Sequence, residues 1–320
     1  MKLGVLTVPL SDMPLREALP YLRGLGVQTV ELGAGGYTNP AHLRPEVLLK
    51  DKSEIRKLKQ LLKENDMEIS ALSCHGNSVH PNREIAARAD QVLRDTICLA
   101  NELEVGVVNT FSGCPGDCES SERPNWVTCA WPGDYPEILK YQWEDKLLPY
   151  WEKAGGYAQE KGVKIAFEIH PGFCVYNTET MLRIHREIGP VLGANFDPSH
   201  LFWQGVDIPT ALRALKGMIY NFHAKDCRID PANTARTGVL DTKSFTDAAG
   251  RSWIFRTVGY GHDAAVWKDI ISELRKIGYD GAVTIEHEDC LMSGREGLEK
   301  AVEFLKDILI YEEPGTAYWA

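Results

Sequence analysis

Short apolar runs recur along this chain, separated by longer amphipathic stretches. Eight segments carry the pattern: 2–8, 27–32, 68–73, 106–111, 163–169, 192–196, 219–223 and 282–286. Near-continuous apolar runs of this length read as parallel strands buried on both faces. Between them, apolar residues return at helical spacing, as Leu58, Leu61 and Leu62 do after Ser53, the expected N-cap. Gly26, Gly162 and Gly278 fall where one helix must end before the next strand begins. Alternating β and α units favour a parallel sheet, and eight of them close a (β/α)8 barrel. The expected architecture is one TIM-barrel domain spanning 1–320.

Two segments are longer than simple connections. Residues 112–141 follow the fourth strand and carry Trp126, Trp131, Tyr135 and Tyr141; residues 225–260 follow the seventh and carry Arg228, Arg236, Lys243, Arg251 and Arg256. Long loops inside a compact domain are usually lids or partner surfaces. Both leave C-terminal strand ends, so both should hang over the face where barrel active sites sit. Trp131 is the expected stacking surface for a sugar or aryl group.

The chemistry concentrates at four strand ends. Phe167-Glu168-Ile169-His170-Pro171-Gly172 is echoed by the segments 195–200, 221–226 and 284–289, each an apolar run that stops in carboxylates and histidines. Buried ionisable groups are costly without partners, so these ends should meet. Glu168, Asp197, His223 and Glu286 would then form an O/N ligand set suited to Mn, Mg, Co or Zn. Each has a plainer reading: a buried salt bridge for the glutamates, a helix N-cap for Asp197, a core position for His223. His75 ends the third strand and is expected to face the pocket. His80, His42, His185 and His262 are read as loop or helix histidines.

Charge narrows the function. A net charge of −10 over 320 residues argues against a nucleic-acid scaffold, because phosphate binding needs a basic surface. No apolar stretch reaches the ~18 residues of a membrane span. The N-terminus reads as a strand, so a cytoplasmic location is expected. The eight cysteines are scattered and read as reduced, small apolar residues; Cys114, Cys118 and Cys129 lack the partner that would complete a zinc clip.

At these motifs the chain resembles the xylose isomerase-like TIM barrels, the sugar phosphate isomerase/epimerase group that includes ketose 3-epimerases and inosose dehydratase. The resemblance runs from the first strand to residue 301. It implies that Glu168, Asp197, His223 and Glu286 hold one divalent ion, typically Mn²⁺, with Mg²⁺, Co²⁺ or Zn²⁺ as substitutes. It places His200 and Arg228 where relatives contact substrate oxygens. His170 and the aromatic insertion depart from the simple epimerases. Both look like the larger subunit of bacterial deglycosidases that cleave 3-keto C-glycosides.

An ion held by two Glu, one Asp and one His leaves positions open for a carbonyl and a neighbouring hydroxyl. The α-proton then needs a base, either a carboxylate (Glu168 or Glu286) or the imidazole of His170. The expected function is a metal-dependent sugar isomerase or epimerase working through an enediolate. The alternative is a lyase that cleaves 3-keto-glycosides by β-elimination. An endonuclease IV-like repair enzyme would need further His and Asp ligands and a basic groove, and a non-catalytic sugar-binding barrel would need no ligand set. The expected partner is a small carbohydrate, with no nucleic acid and no membrane. The chain is expected to form a homo-oligomer, or a hetero-oligomer with a small subunit in the lyase case. The aromatic insertion and the tail 311–320 are the candidate contact surfaces.

Overall fold

In the computed structural model, which describes residues 1–313, 315–317 and 319, the eight predicted runs form one closed barrel. Its strands are β1 (Lys2–Leu6), β2 (Thr29–Gly33), β3 (Glu68–Ser73), β4 (Val107–Thr110), β5 (Lys164–Glu168), β6 (Leu192–Phe196) and β7 (Ile219–Ala224). An inserted ribbon of β8 (Asp226–Ile229) and β9 (Trp253–Arg256) precedes the last barrel strand, β10 (Ala282–Ile285). The order around the barrel is β1-β10-β7-β6-β5-β4-β3-β2, and the pairing of Val5 with Ile285 helps close it. Every barrel pairing is parallel. No helix among the described residues is long and apolar enough to cross a membrane.

Side chains alternate across each strand, so one set packs on the helices and the other fills the barrel. On β5, Ile165 and Phe167 join the apolar core, and the Trp151 ring meets Phe167 edge-on at 4.5 Å. The inward set is more polar than the apolar runs predict. Asn221 Nδ2 donates to Glu31 at 2.9 Å and to Asn195 at 3.0 Å, and Asn109 Nδ2 donates to the Ser73 hydroxyl at 3.3 Å. A hydrogen-bonded layer therefore crosses the barrel directly beneath its C-terminal mouth.

Local signals shift slightly from expectation. Asp51, not Ser53, caps the helix Lys52–Glu64: its carboxylate accepts the Ser53 N–H at 2.8 Å, which draws Ser53 into the first turn. Gly26 closes the helix Leu15–Leu25 with φ +91°, the left-handed C-cap that glycine takes readily. The three cysteines of the possible zinc clip do not converge. Cys114 is buried, Cys118 contacts Ser120 and Ser121, and Cys129 contacts the Trp131 carbonyl.

Both long segments are ordered by buried polar anchors. Within 112–141, the Gln142 amide donates to the carbonyls of Pro115, Gly116 and Asn125, tying an irregular stretch to the helical run that starts at Asp134. The 225–260 segment is not a loop, because the ribbon and the helix Pro231–Thr237 fill it. Asp226 fastens it to the barrel. Its carboxylate accepts the backbone N–H groups of Gly259, Gly261 and His262 and the Trp267 indole N–H. Asp289 does the same for Thr257 N–H, Leu291 N–H and Arg256. Two of the carboxylates in the echoed strand-end motifs thus serve the architecture.

Candidate metal centre at the barrel mouth

The strand ends converge. His223 Nδ1 lies 3.0 Å from Glu286 Oε2 and 3.8 Å from Glu168 Oε2. One ligand atom from each of Glu168, His223 and Glu286 falls within 4.8 Å of the others, a spacing that would hold one ion. Asp197 divides its oxygens. Oδ1 accepts the Ser199 N–H at 2.9 Å, as an N-cap does, while Oδ2 lies 3.0 Å from Lys225 Nζ and 3.2 Å from His200 Nε2. Lys225 also lies 2.8 Å from Glu286 and 2.9 Å from Glu288, so it joins Asp197 to the other expected ligands.

Electrostatics follow from burial and pairing. Burial raises the Glu168 carboxyl, but the charge of His75 and hydrogen bonds from His200 and His75 hold it well below the usual range. Burial likewise opposes the charge of Lys225, yet Asp197, Glu286 and Glu288 keep it a firm ammonium. Glu168, Asp197, Glu286 and Glu288 face this single lysine as fixed charge, while the buried Glu31 faces His223. The oxygen and nitrogen donors of the pocket suit a divalent cation, whose binding would displace the proton that His223 holds in the metal-free protein.

His200 gives a stability prediction. Burial pulls it down, but the Asp197 carboxylate and the bond to Glu168 raise it from 6.5 to about 9. Folding therefore favours the protonated ring, so its stabilisation is complete below about pH 6.5 and lost as pH rises through about 9. His223 is raised in the same direction, against burial, by Glu31 and Glu286. Metal-free protein should lose about 3 kcal/mol or more across that window, read as a falling calorimetric midpoint. A flat midpoint over the window would contradict the assignment.

His170 belongs to a second group that shares Glu168 with the first. A ring nitrogen lies within 4.8 Å of ligand atoms of Glu168 and His200. Its Nδ1 sits against the Pro171 carbonyl, which only accepts, so Nδ1 carries the proton and Nε2 keeps a lone pair. Rings clamp it: His200 at 4.0 Å, Phe111 at 4.8 Å and Phe173 at 5.6 Å between centroids. Burial and the charge of His200 keep the imidazole neutral, at about 3. His170 and His200 border a cavity of about 660 Å³ walled by Trp126, Trp203, Trp253 and Phe255. Trp203 stacks on Trp253 at 4.8 Å, so it both packs and walls the cavity.

The expected substrate contacts fare unevenly. His75 is buried with Nε2 2.8 Å from Glu168 and Nδ1 2.8 Å from the Thr38 hydroxyl, so it braces a carboxylate rather than facing the cavity. The loop after β2 presses on it so closely that a Cβ at Gly36 would lie 2.0 Å from the His75 carbonyl oxygen. Arg228 is exposed and donates to the Gly261 carbonyl; the buried Arg251 of the same segment borders the cavity instead. Trp131 is 77% exposed and stands off the cavity, because its neighbour Trp126 turns inward from the same insertion. His42, His185 and His262 each hold a local structural bond, to Met13, Leu192 and Asp226 respectively.

Two charged residues of the centre escaped the sequence reading. Lys225 lies two positions after His223 inside the segment 221–226, and nothing in its immediate sequence marks it as buried. Glu31 interrupts the apolar run Thr29–Gly33, the same signal that singled out Glu168.

Comparison with known proteins agrees with this fold. Residues 19–308 match the model of a family described as the xylose isomerase-like TIM barrel. The YfiH protein of Bacillus subtilis is 38% identical, over 97% of this chain and 99% of its own length. Inosose dehydratase of Geobacillus thermodenitrificans is 29% identical over 48% of this chain and 49% of its own. A crystal structure of IolI with a bound zinc atom superposes with a TM-score of 0.64 at 19% identity, covering 97% of this chain and 98% of the other.

Proposed function

This chain belongs to the xylose isomerase-like TIM barrel family, and we propose that within it the protein is a divalent-metal-dependent carbohydrate dehydratase. It removes the proton α to a ketone and expels the β-hydroxyl. The observation that carries this reading is the clamped, single-tautomer His170 beside the ligand cluster, a base separate from the ligand carboxylates. The partial likeness to inosose dehydratase supports the same reaction class. Glu168, Asp197, His223 and Glu286 would hold the ion, Mn²⁺ by the family resemblance or Zn²⁺ as in IolI. When bound, the ion supplies Lewis-acid polarisation of the substrate carbonyl. His170 Nε2 takes the α-proton. The β C–O bond then breaks as the departing hydroxyl takes that proton back from the His170 imidazolium. Water leaves, the imidazole is neutral again, and the enol product tautomerises to an α-diketone.

The surrounding residues serve that sequence. His75 and His200 fix the two oxygens of Glu168, so its carboxylate cannot swing toward the α-carbon. Lys225 holds Asp197 and Glu286 in register. Trp126, Trp203 and Phe255 exclude water from the cavity and favour a substrate with an apolar face or substituent. Epimerisation is the second reading, favoured by the proximity of Glu168 and Glu286 within the same cluster.

The test is product analysis in deuterium oxide with Mn²⁺-loaded protein. Keto-cyclitols, 3-keto-glycosides and free ketoses are supplied separately, and α-diketones are trapped as quinoxalines. A quinoxaline from the keto-cyclitols is the expected outcome, whereas one from the 3-keto-glycosides, formed with release of the aglycone in place of water, would select the glycoside-lyase reaction. An α-deuterated epimer without water loss would select epimerisation. No exchange with any substrate would sink both.

A further inference from the structure

The residue that the centre uses without exposing it is Glu31. Its side chain is fully buried on β2, inside the polar layer, and it is absent from the cavity walls. Its two oxygens lie 2.9 and 3.0 Å from His223 Nε2. One also accepts the Ser73 hydroxyl, and the other accepts the Asn221 amide at 2.9 Å. Asn221 is steadied in turn by Asn195, and Ser73 by Asn109. Three donors thus converge on a carboxylate that reaches no solvent and no substrate space.

We infer that Glu31 is a positioning residue that fixes the tautomer and aim of His223 for metal ligation. The reasoning is one of proton bookkeeping on a single ring. An ionised carboxylate only accepts, so the nitrogen facing it must carry the hydrogen. With Nε2–H committed to Glu31, a neutral His223 holds its lone pair at Nδ1. That is the nitrogen 3.0 Å from Glu286 and 3.8 Å from Glu168. A hydrogen-bonded carboxylate behind a ligand histidine also strengthens it as a donor, and losing such a partner weakens metal binding 10–100-fold. A carboxylate serving only the barrel interior would need no contact to His223, because Ser73 and Asn221 already satisfy it.

The inference rests on the metal centre proposed above, and the experiment separates the two. Zn²⁺ affinity is measured by chelator competition for the wild type and for Glu31→Gln, and histidine ring ¹⁵N spectra are recorded on both Zn²⁺-loaded proteins. The expected result is a dissociation constant 10–100-fold weaker in the variant, with wild-type His223 protonated at Nε2 and coordinated through Nδ1. A wild type that binds no zinc overturns the metal centre itself. A wild type that binds while Glu31→Gln binds equally well overturns only the role of Glu31. The wild-type spectrum decides the matter even where the variant does not fold, since coordination through Nε2 contradicts the inference directly.

Discussion

Glu168→Gln combined with Asp197→Asn is expected to abolish stoichiometric binding of the divalent ion. The double variant removes two of the buried carboxylate charges yet keeps the shape of both side chains. What remains, Glu286 with His223, offers half the expected ligand set, and His223 stays engaged by Glu31. Lys225 also loses the charge of Asp197, its contact at 3.0 Å, and turns more fully to Glu286 at 2.8 Å, competing for the surviving carboxylate. Metal content after dialysis, read by elemental analysis, should fall from about one ion per chain to near zero. Breaking buried ion pairs on one side costs about 3–5 kcal/mol each. The variant is therefore checked first by circular dichroism and its thermal midpoint. A folded double variant that retains one ion per chain rules out these residues as the ligands.

The parts of this centre that were legible in the sequence share one property: they sit where an apolar run ends. Glu168, Asp197, His223 and Glu286 interrupt hydrophobicity at a strand's C-terminal end, and barrel geometry brings such ends together. Glu31 broke the same rule inside a run, but one carboxylate in a short strand is equally compatible with an outward, solvated position. Its inward direction depends on the β2–β3 register, which shifts between Val30 and Glu31. Local sequence does not encode that shift. Arg228 and Arg251 show the same limit. Both lie in one basic segment, but Arg228 sits on β8 opposite Ile254, whereas Arg251 precedes β9 and is held inward by the carbonyls of Lys243 and Trp253. Trp131 and Trp126 differ for a related reason, since the Gln142 anchor that folds the insertion is remote from both in sequence. Periodicity reports which elements form, whereas long-range pairing decides which side chains they aim inward.

His170→Ala should reduce kcat/KM on a keto-cyclitol by about 10²-fold, the low end of a general base's contribution, because an imidazole lowered to about 3 is a weak base. Its Nδ1–H is committed to the Pro171 carbonyl, so Nε2 is the basic atom in every orientation the clamp allows. Phe111 and Phe173, themselves stacked at 4.1 Å, hold the ring so that little reorganisation precedes proton transfer. Removing the imidazole leaves the expected ligands untouched, so metal content should remain near one ion per chain. The loss should fall on kcat rather than KM, because the ring acts on the proton in flight more than on the bound ground state. A substrate deuterated at the α-carbon sharpens the test: the variant should show a larger primary isotope effect as proton removal becomes fully rate-limiting. If Glu168 or Glu286 were the base instead, His170→Ala would cost less than about fivefold, too little for a general base. That outcome, with metal retained, would return His170 to a packing role between Phe111 and His200 and shift the proposed reaction toward epimerisation by the carboxylates.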